Sequence, residues 1–387
     1  MEANQGGTAD AHSFCPFRDR GFFVFSDKMA AGSDRTGGFC MGGENTMIKE
    51  AISRISQGED LSEKQSHDAI SQIMTGQASE MEIAAFITGL RVKGETADEL
   101  TGGVRALSEA AIRITPKVPF CVDPVGTGGD KTGTLNISSA AALVASAAGA
   151  IVAKHGNRSV SSSCGSADFF EALGFDLSLD PGEVEVCIEQ HGFGFMFAPV
   201  FHPGMRYAAP VRRHLGIRTI FNMLGPLTNP AGAAGQVLGV YSSQVMPFAA
   251  ATLRNLEIKH ALVVHGSDHS DEITISGETA VFEIKNGQIS SYSIKPEDFG
   301  MKRASLSEVR GGTPEENRKA VLEIFEGKKG AARDMILLNA AASIFIGQAS
   351  SSIRDALKMA EEVIDHGLVL NKIDQLRGFR HLACKEA

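Results

Sequence analysis

The chain has 387 residues, 43% of them hydrophobic and 21% charged, enough for about two domains with real cores and unlike a disordered composition. A net charge of −9 argues against a nucleic-acid-binding protein, so an anionic ligand would have to be met by a local positive pocket. No apolar run reaches the roughly 18 residues of a membrane span, and Cys15, Cys40, Cys121, Cys164, Cys187 and Cys384 show no CxxC spacing, which suits reduced thiols. The expectation is a cytoplasmic enzyme with no membrane and no nucleic-acid partner.

Residues 1–46 scatter glycines among charges without sustained periodicity and are expected to be a disordered N-terminal extension. They hold no secretory apolar core, and acids such as Asp10, Asp19 and Asp34 argue against a transit peptide. From Met47 the pattern turns helical. Ile48, Ile52 and Ile55 recur at helical spacing as far as Gly58, and capping boxes follow at Ser62/Gln65, Ser79/Glu82 and Thr96/Glu99. With Gly76 and Gly94 closing the intervening segments, 47–114 forms four short helices that carry no cluster of reactive groups, a scaffold. Beyond residue 120, short apolar runs at 120–125, 151–153, 193–197, 236–240 and 261–264 alternate with helical stretches such as 137–150. That is the mark of a parallel sheet covered by helices. Asn286-Gly287, between 281–285 and 288–294, is a type I′ hairpin signal, so antiparallel strands should edge the sheet. The fold class expected is α/β: a small N-terminal helical domain plus a large α/β domain with a central, mostly parallel sheet.

Three clusters carry chemistry. In the first, Gly126, Gly128 and Gly129 follow a strand and leave backbone N–H groups able to face an anion, and Asn136, Ser138 and Ser139 open the next helix, where the dipole favours negative charge. Lys154, His155, Gly156, Asn157 and Arg158 then follow the strand 151–153, ahead of the hydroxyl tract 159–163. Glycine loops alone are as readily turns, but the joint occurrence within one βαβ-sized unit points to a phosphorylated sugar. The second cluster, HGSDHSDE from His265 to Glu272, sets Asp271 beside Glu272 after the strand 261–264. Adjacent carboxylates suit Mg²⁺ shared with substrate phosphates; a solvated acidic loop is the plain alternative, and zinc on His265 and His269 lacks a thiolate or an HExxH pattern. The third comprises Arg206, Arg212, Arg213 and Arg218 with His202 and His214, most of them expected on a solvated helical face.

GTGGD, NIS, KHGNR, VSS and GSAD, in this order and spacing, closely resemble the anthranilate phosphoribosyltransferase family, as do PVRRHLGIRTIFNMLGPLTNP and HGSDHSDE downstream. The resemblance runs from about residue 47 to the C-terminus. It implies transfer of phosphoribosyl from 5-phosphoribosyl 1-diphosphate to anthranilate, with Mg²⁺, in a homodimer. The implied domains are 47–115, joined by helices from about 203–225, and 120–387. The implied phosphoribosyl diphosphate site is Gly126, Gly129, Asp130, Thr134, Asn136, Ile137, Ser138, Ser139, Lys154, His155, Gly156, Asn157, Arg158, Ser159, Val160, Ser161, Ser162 and Ser166. Anthranilate falls to Gly126, Asn157 and Arg212, the metal to Ser138, Asp271 and Glu272. No catalytic side chain is assigned, His155 being the one candidate. Lys131-Thr132, Ser139, Ser163-Cys164 and the missing glycine before the acidic pair depart from the family pattern without removing a named ligand. The competing readings are a pyrimidine nucleoside phosphorylase-like enzyme and an inactive relative that binds nucleic acid.

Overall fold

The computed structural model describes residues 46–130, 132–159 and 163–379. The expected N-terminal extension falls outside them except for Thr46, which opens the first helix. Helices α1 (Thr46–Ser56), α2 (Glu63–Met74), α3 (Glu80–Lys93) and α4 (Ala97–Glu109) form as the periodicity requires. All three capping boxes close: Ser62, Ser79 and Thr96 each accept an N–H from the first turn, and Gln65, Glu82 and Glu99 accept the cap N–H in return. Close contact between α2 and α4 depends on Gly102, where a Cβ would stand 2.1 Å from the Glu63 carbonyl oxygen. Ile48, Ile70, Phe86 and Leu100 are buried in this bundle, and burial of a side chain such as Phe86 contributes about 1.5–3 kcal/mol.

Seven strands follow: β1 (Val122–Gly126), β2 (Val152–Gly156), β3 (Phe193–Phe197), β4 (Gly235–Gly239), β5 (His260–Gly266), β6 (Thr279–Lys285) and β7 (Gln288–Ile294). They make one sheet in the order β3-β2-β1-β4-β5-β6-β7, parallel as far as β5 and antiparallel through the last two. The hairpin turns at Asn286 and Gly287, both at positive φ, as a type I′ turn demands. Two boundaries move outward from the sequence expectation. Residues 154–156 pair with Phe195, Met196 and Phe197 and so belong to β2, and pairing with β6 carries β5 on through His265 and Gly266. The helix expected over 137–150 stops at Ala147, before Gly149 at positive φ.

The remaining helices are α5 (Ile137–Ala147), α6 (Ser166–Ala172), α7 (Pro181–His191), α8 (Ala198–Phe201), α9 (Met205–Leu215), α10 (Phe221–Leu227), α11 (Met246–Asn255), α12 (Pro314–Phe325), α13 (Ala331–Ile346), α14 (Ile353–Asp365) and α15 (Leu368–Arg377). Strand side chains alternate between faces, so Val122, Val237, Leu262 and Val264 pack with α5, α6 and α12–α15. On the other face Val125, Leu238, Ala261 and Val263 pack with α1–α4 and α9–α11. The helical domain therefore shares its core with one face of the sheet. β1 leads to α5 on the first face while its neighbour β4 leads to α11 on the second. Their carboxyl ends flank a switch point, the place where open α/β sheets hold ligands. Among the described residues no helix is long and apolar enough to cross a membrane.

Candidate active site at the switch point

β1 and β4 end at Gly126 and Gly239, which are register partners. The chain after β5 folds over them. A Cβ on Gly239 would lie 1.6 Å from the Asp271 carbonyl oxygen, and one on Gly126 2.5 Å from Asp271 Oδ2. At these two strand ends the missing side chains admit the acidic loop itself. Asp271 Oδ2 accepts the Gly128 N–H at 2.7 Å, and Glu272 Oε1 accepts the Ser138 N–H at 3.2 Å, in the first turn of α5. Both carboxylates thus rest on backbone donors of the glycine loop and the helix start.

The charges are out of balance here. Removal from water first, then the Asp130 charge, raises Asp271 above the ordinary carboxylate range; burial and then Asp271 raise Glu272 well above it. Lys154 is the nearby fixed cation, 2% exposed, donating from Nζ to the Pro124 carbonyl at 2.5 Å, with burial pulling its pKa down. Carboxylates outnumber it, and a divalent cation would relieve the excess. Among the described residues no three His, Cys, Asp or Glu side chains form a metal cage. Mg²⁺ needs none, because it binds through one or two carboxylates and takes further oxygens from phosphate and water. His265 Nδ1 meets the Val240 carbonyl at 2.8 Å, and the His265 and His269 ring centroids lie 6.1 Å apart.

Alternation along β2 sends Lys154 and His155 to opposite faces. Beneath His155, Asp123 is fully buried, its Oδ1 accepting the His155 N–H at 3.2 Å and its Oδ2 the Asn229 Nδ2 at 2.7 Å. Burial pushes Asp123 up to about 6. The His155 and His202 rings lie 4.9 Å apart, lowered mainly by burial to about 3 and about 4, so both are neutral. His155 Nε2 and both His202 nitrogens lack a partner among the described residues; the Thr228 backbone lies near His202 without hydrogen-bond geometry.

Past Gly156 the chain is knotted by Asp168, whose Oδ2 accepts the Ser159 and Gly165 N–H groups at 3.0 and 2.9 Å. Arg158 forks onto Glu171 at 2.6 and 2.9 Å and reaches Asp168 at 2.9 Å. Asn157 Oδ1 accepts the Arg158 N–H at 2.7 Å, and the Asn157 carbonyl accepts the Ser166 hydroxyl at 3.2 Å. Asn136 links the Cys164 carbonyl at 3.2 Å to Asn317 Nδ2 at 2.8 Å, and Thr134 bridges to Arg310. Ile137 and Ser139 are buried, so their side chains face the core. Val160, Ser161, Ser162 and Lys131 lie outside the described residues.

The arginine cluster divides. Arg206, Arg213 and His214 are exposed, as a solvated face should be, and His202 is buried. Arg212 is half-buried over the Phe221 ring, 5.5 Å from its centroid, and its guanidinium has no hydrogen-bond or ion-pair partner among the described residues. Burial lowers its pKa. Arg218 stacks on Tyr241 at 4.1 Å and donates to the Gly129 carbonyl.

This arrangement, an acidic pair and a glycine loop at a switch point beneath a helical bundle, has close counterparts. Residues 119–370 match a family profile described as glycosyl transferase family, a/b domain, and 49–111 match its helical bundle domain. The chain is 49% identical over 333 residues to anthranilate phosphoribosyltransferase of Acetivibrio thermocellus, covering 86% of this chain and 96% of that one. For the Methanosarcina acetivorans enzyme the identity is 50%, with 86% and 90% covered. The chain belongs to the anthranilate phosphoribosyltransferase family. Among solved structures, the family's Thermus thermophilus enzyme superposes with a TM-score of 0.81 at 41% identity, covering 86% of this chain and 98% of that one. The Saccharomyces cerevisiae enzyme, in complex with PRPP and Mg, gives 0.80 at 27% identity over 87% and 98%. Family membership favours the transferase over the phosphorylase reading.

Several residues that shape this family site escaped the sequence analysis. Asp123 and Asn229 brace β1 and β2, Asn339 clamps both polar groups of Ile273 just after the acidic pair at 3.0 and 2.9 Å, and Asn317 ties Asn136 to the Gly312 N–H at 2.7 Å. Each sits inside an otherwise ordinary helix, strand or loop, and only its tertiary partner distinguishes it.

Proposed function

We infer that the chain transfers the phosphoribosyl group of 5-phosphoribosyl 1-diphosphate to the amine of anthranilate, giving N-(5-phosphoribosyl)anthranilate and diphosphate, a step of L-tryptophan biosynthesis. The observation that carries this reading, beside family membership, is the Asp271–Glu272 pair seated on the Gly128 and Ser138 N–H groups at the switch point. The C1–O bond to diphosphate breaks, a C1–N bond forms, and the amine proton leaves to solvent. Mg²⁺ held by Asp271, Glu272 and Ser138 would neutralise charge on the departing diphosphate. The chain's own contribution is to position and to exclude water. Gly126, Gly129, Asp130, Thr134, Asn136 and Ser138 present backbone and side-chain groups to the donor, and Ile137 and Ser139 their backbone alone, with Lys154 to Ser162 and Ser166 completing that side. Arg212, a planar fork over the Phe221 ring with no hydrogen-bond or ion-pair partner among the described residues, takes the anthranilate carboxylate, with Gly126 and Asn157 beside it. An aromatic amine is neutral at pH 7, so no general base is called for, and the buried, neutral His155 shapes the site without moving a proton.

The same reading includes a homodimer, a cytoplasmic location and a division into 47–115, with helices from 203–225, and 120–387. The test is loss of anthranilate fluorescence with phosphoribosyl diphosphate, with and without Mg²⁺. Mg²⁺-dependent loss that disappears in Asp271→Asn/Glu272→Gln is expected; no loss, with phosphorolysis of pyrimidine nucleosides instead, would overturn the reading.

A further inference from the structure

The glycine loop is held at one point by a side chain of the PVRRHLGIRTIFNMLGPLTNP segment that takes no substrate in the transferase reading. Arg218 lies in the connection between α9 and α10, half-buried, with its guanidinium donating to the Gly129 carbonyl. It is stacked 4.1 Å from the centroid of Tyr241. Tyr241 is itself tied to the loop, its N–H donating to Thr127 Oγ1 at 3.1 Å, while the Thr127 N–H donates to the Gly239 carbonyl at 2.9 Å. The contacts close a circuit from Thr127 through Tyr241 and Arg218 back to Gly129. It restrains a stretch in which Gly128 and Gly129 both adopt positive φ and resist no rotation themselves. A Cβ at Gly129 would come 3.2 Å from the Arg218 guanidinium, so the fit is close.

A trans peptide points its C=O and N–H in opposite directions, so drawing the Gly129 oxygen toward Arg218 turns the Asp130 N–H the other way. Neither the Gly129 nor the Asp130 N–H has an acceptor among the described residues. Both are therefore free to donate to an anion. We propose that Arg218, steadied by the Tyr241 ring, is a positioning residue that orients the Gly129–Asp130 peptide for the phosphate oxygens of the donor, and so governs donor affinity without touching the acceptor. This rests on the transferase reading above.

The test is initial-rate kinetics on the full chain with Mg²⁺, varying each substrate in turn, together with melting temperatures. A charge-assisted hydrogen bond contributes about 1.5–3 kcal/mol, so Arg218→Ala should raise KM for phosphoribosyl diphosphate roughly ten- to a hundredfold. KM for anthranilate should stay within about twofold and the melting temperature within a few degrees, since a half-exposed side chain adds little to stability. Tyr241→Phe keeps the ring and should behave as the parent, Tyr241→Ala should raise the donor KM less than Arg218→Ala does, and the exposed Arg213→Ala should change neither KM. If Arg218→Ala melts below the assay temperature, Arg218→Lys, which keeps a donor but loses the stacked fork, must still raise the donor KM selectively. Equal rises in both KM values, or a rise for anthranilate alone, would overturn the proposal. An inactive parent would instead defeat the transferase reading, so the two failures are distinguishable.

Discussion

Glu99 in the helical domain and Glu272 at the sheet edge are both acids at the margin of an apolar core, and they differ in what their own chain gives them. The Glu99 carboxylate accepts the Leu61 and Thr96 N–H groups, each at 2.9 Å, with Lys93 Nζ at 3.2 Å. Among the described residues Glu272 receives the single Ser138 N–H at 3.2 Å, and it is pressed by Asp271 and Asp130. A carboxylate whose donors all come from the fold is part of the fold. One set among like charges, with too few donors, is poised for a cation, and such imbalance gathers at functional sites.

The largest effect that can break this comparison is Glu99→Ala. It strands two backbone donors and leaves Lys93, whose side chain is 6% exposed, with Asp60 and the Gly94 carbonyl alone among the described residues, so stability should fall by about 3–5 kcal/mol in urea titrations. A loss under about 1 kcal/mol would mean that Glu99 is no better satisfied than Glu272. Next comes Arg212, a cation with no ion-pair partner among the described residues where Glu272 is an under-paired anion. Arg212→Ala should raise KM for anthranilate roughly tenfold or more and leave the donor KM nearly unchanged; an equal change in both would remove the clamp assignment.

His202 supplies a third case, a buried ring with neither nitrogen paired among the described residues. Its pKa in the folded protein, about 4, is below the ordinary value, so between pH 6.5 and 4 the unfolded chain binds a proton that the folded chain refuses. Acidification through that window costs stability. His202→Phe removes the cost, and its stability relative to the parent should therefore climb as pH falls from 6.5 to 4; a flat difference would show that the ring titrates normally. The smallest effect belongs to Glu171, which is well paired to Arg158 but 55% exposed. Glu171→Ala should alter stability by at most about 1 kcal/mol, showing that pairing without burial counts for little.

What could be seen in the sequence follows from range. Capping boxes act over three residues and the Asn286-Gly287 turn over two, so helices α2–α4 and the β6–β7 hairpin were legible from local chemistry. GTGGD, KHGNR and the Asp271–Glu272 pair stood out because glycines, cations and adjacent acids at strand ends are unusual in plain packing. Hidden were the contacts made only by folding: Asn229 to Asp123 across 106 positions, Arg218 to Gly129 across 89, Asn317 to Asn136 across 181. The ends of β2 and β5 were hidden for the same reason, since neighbouring strands, not local propensity, extend them. So was the true neighbour of Gly126, which is Asp271.

The most direct test of the account is calorimetric titration of phosphoribosyl diphosphate into the parent and into Asp271→Asn/Glu272→Gln, each with and without Mg²⁺. The account predicts Mg²⁺-strengthened binding in the parent and the loss of that strengthening in the double variant, which should fold at least as stably because two repelling carboxyls have been neutralised. Equal Mg²⁺ dependence in both proteins would contradict it.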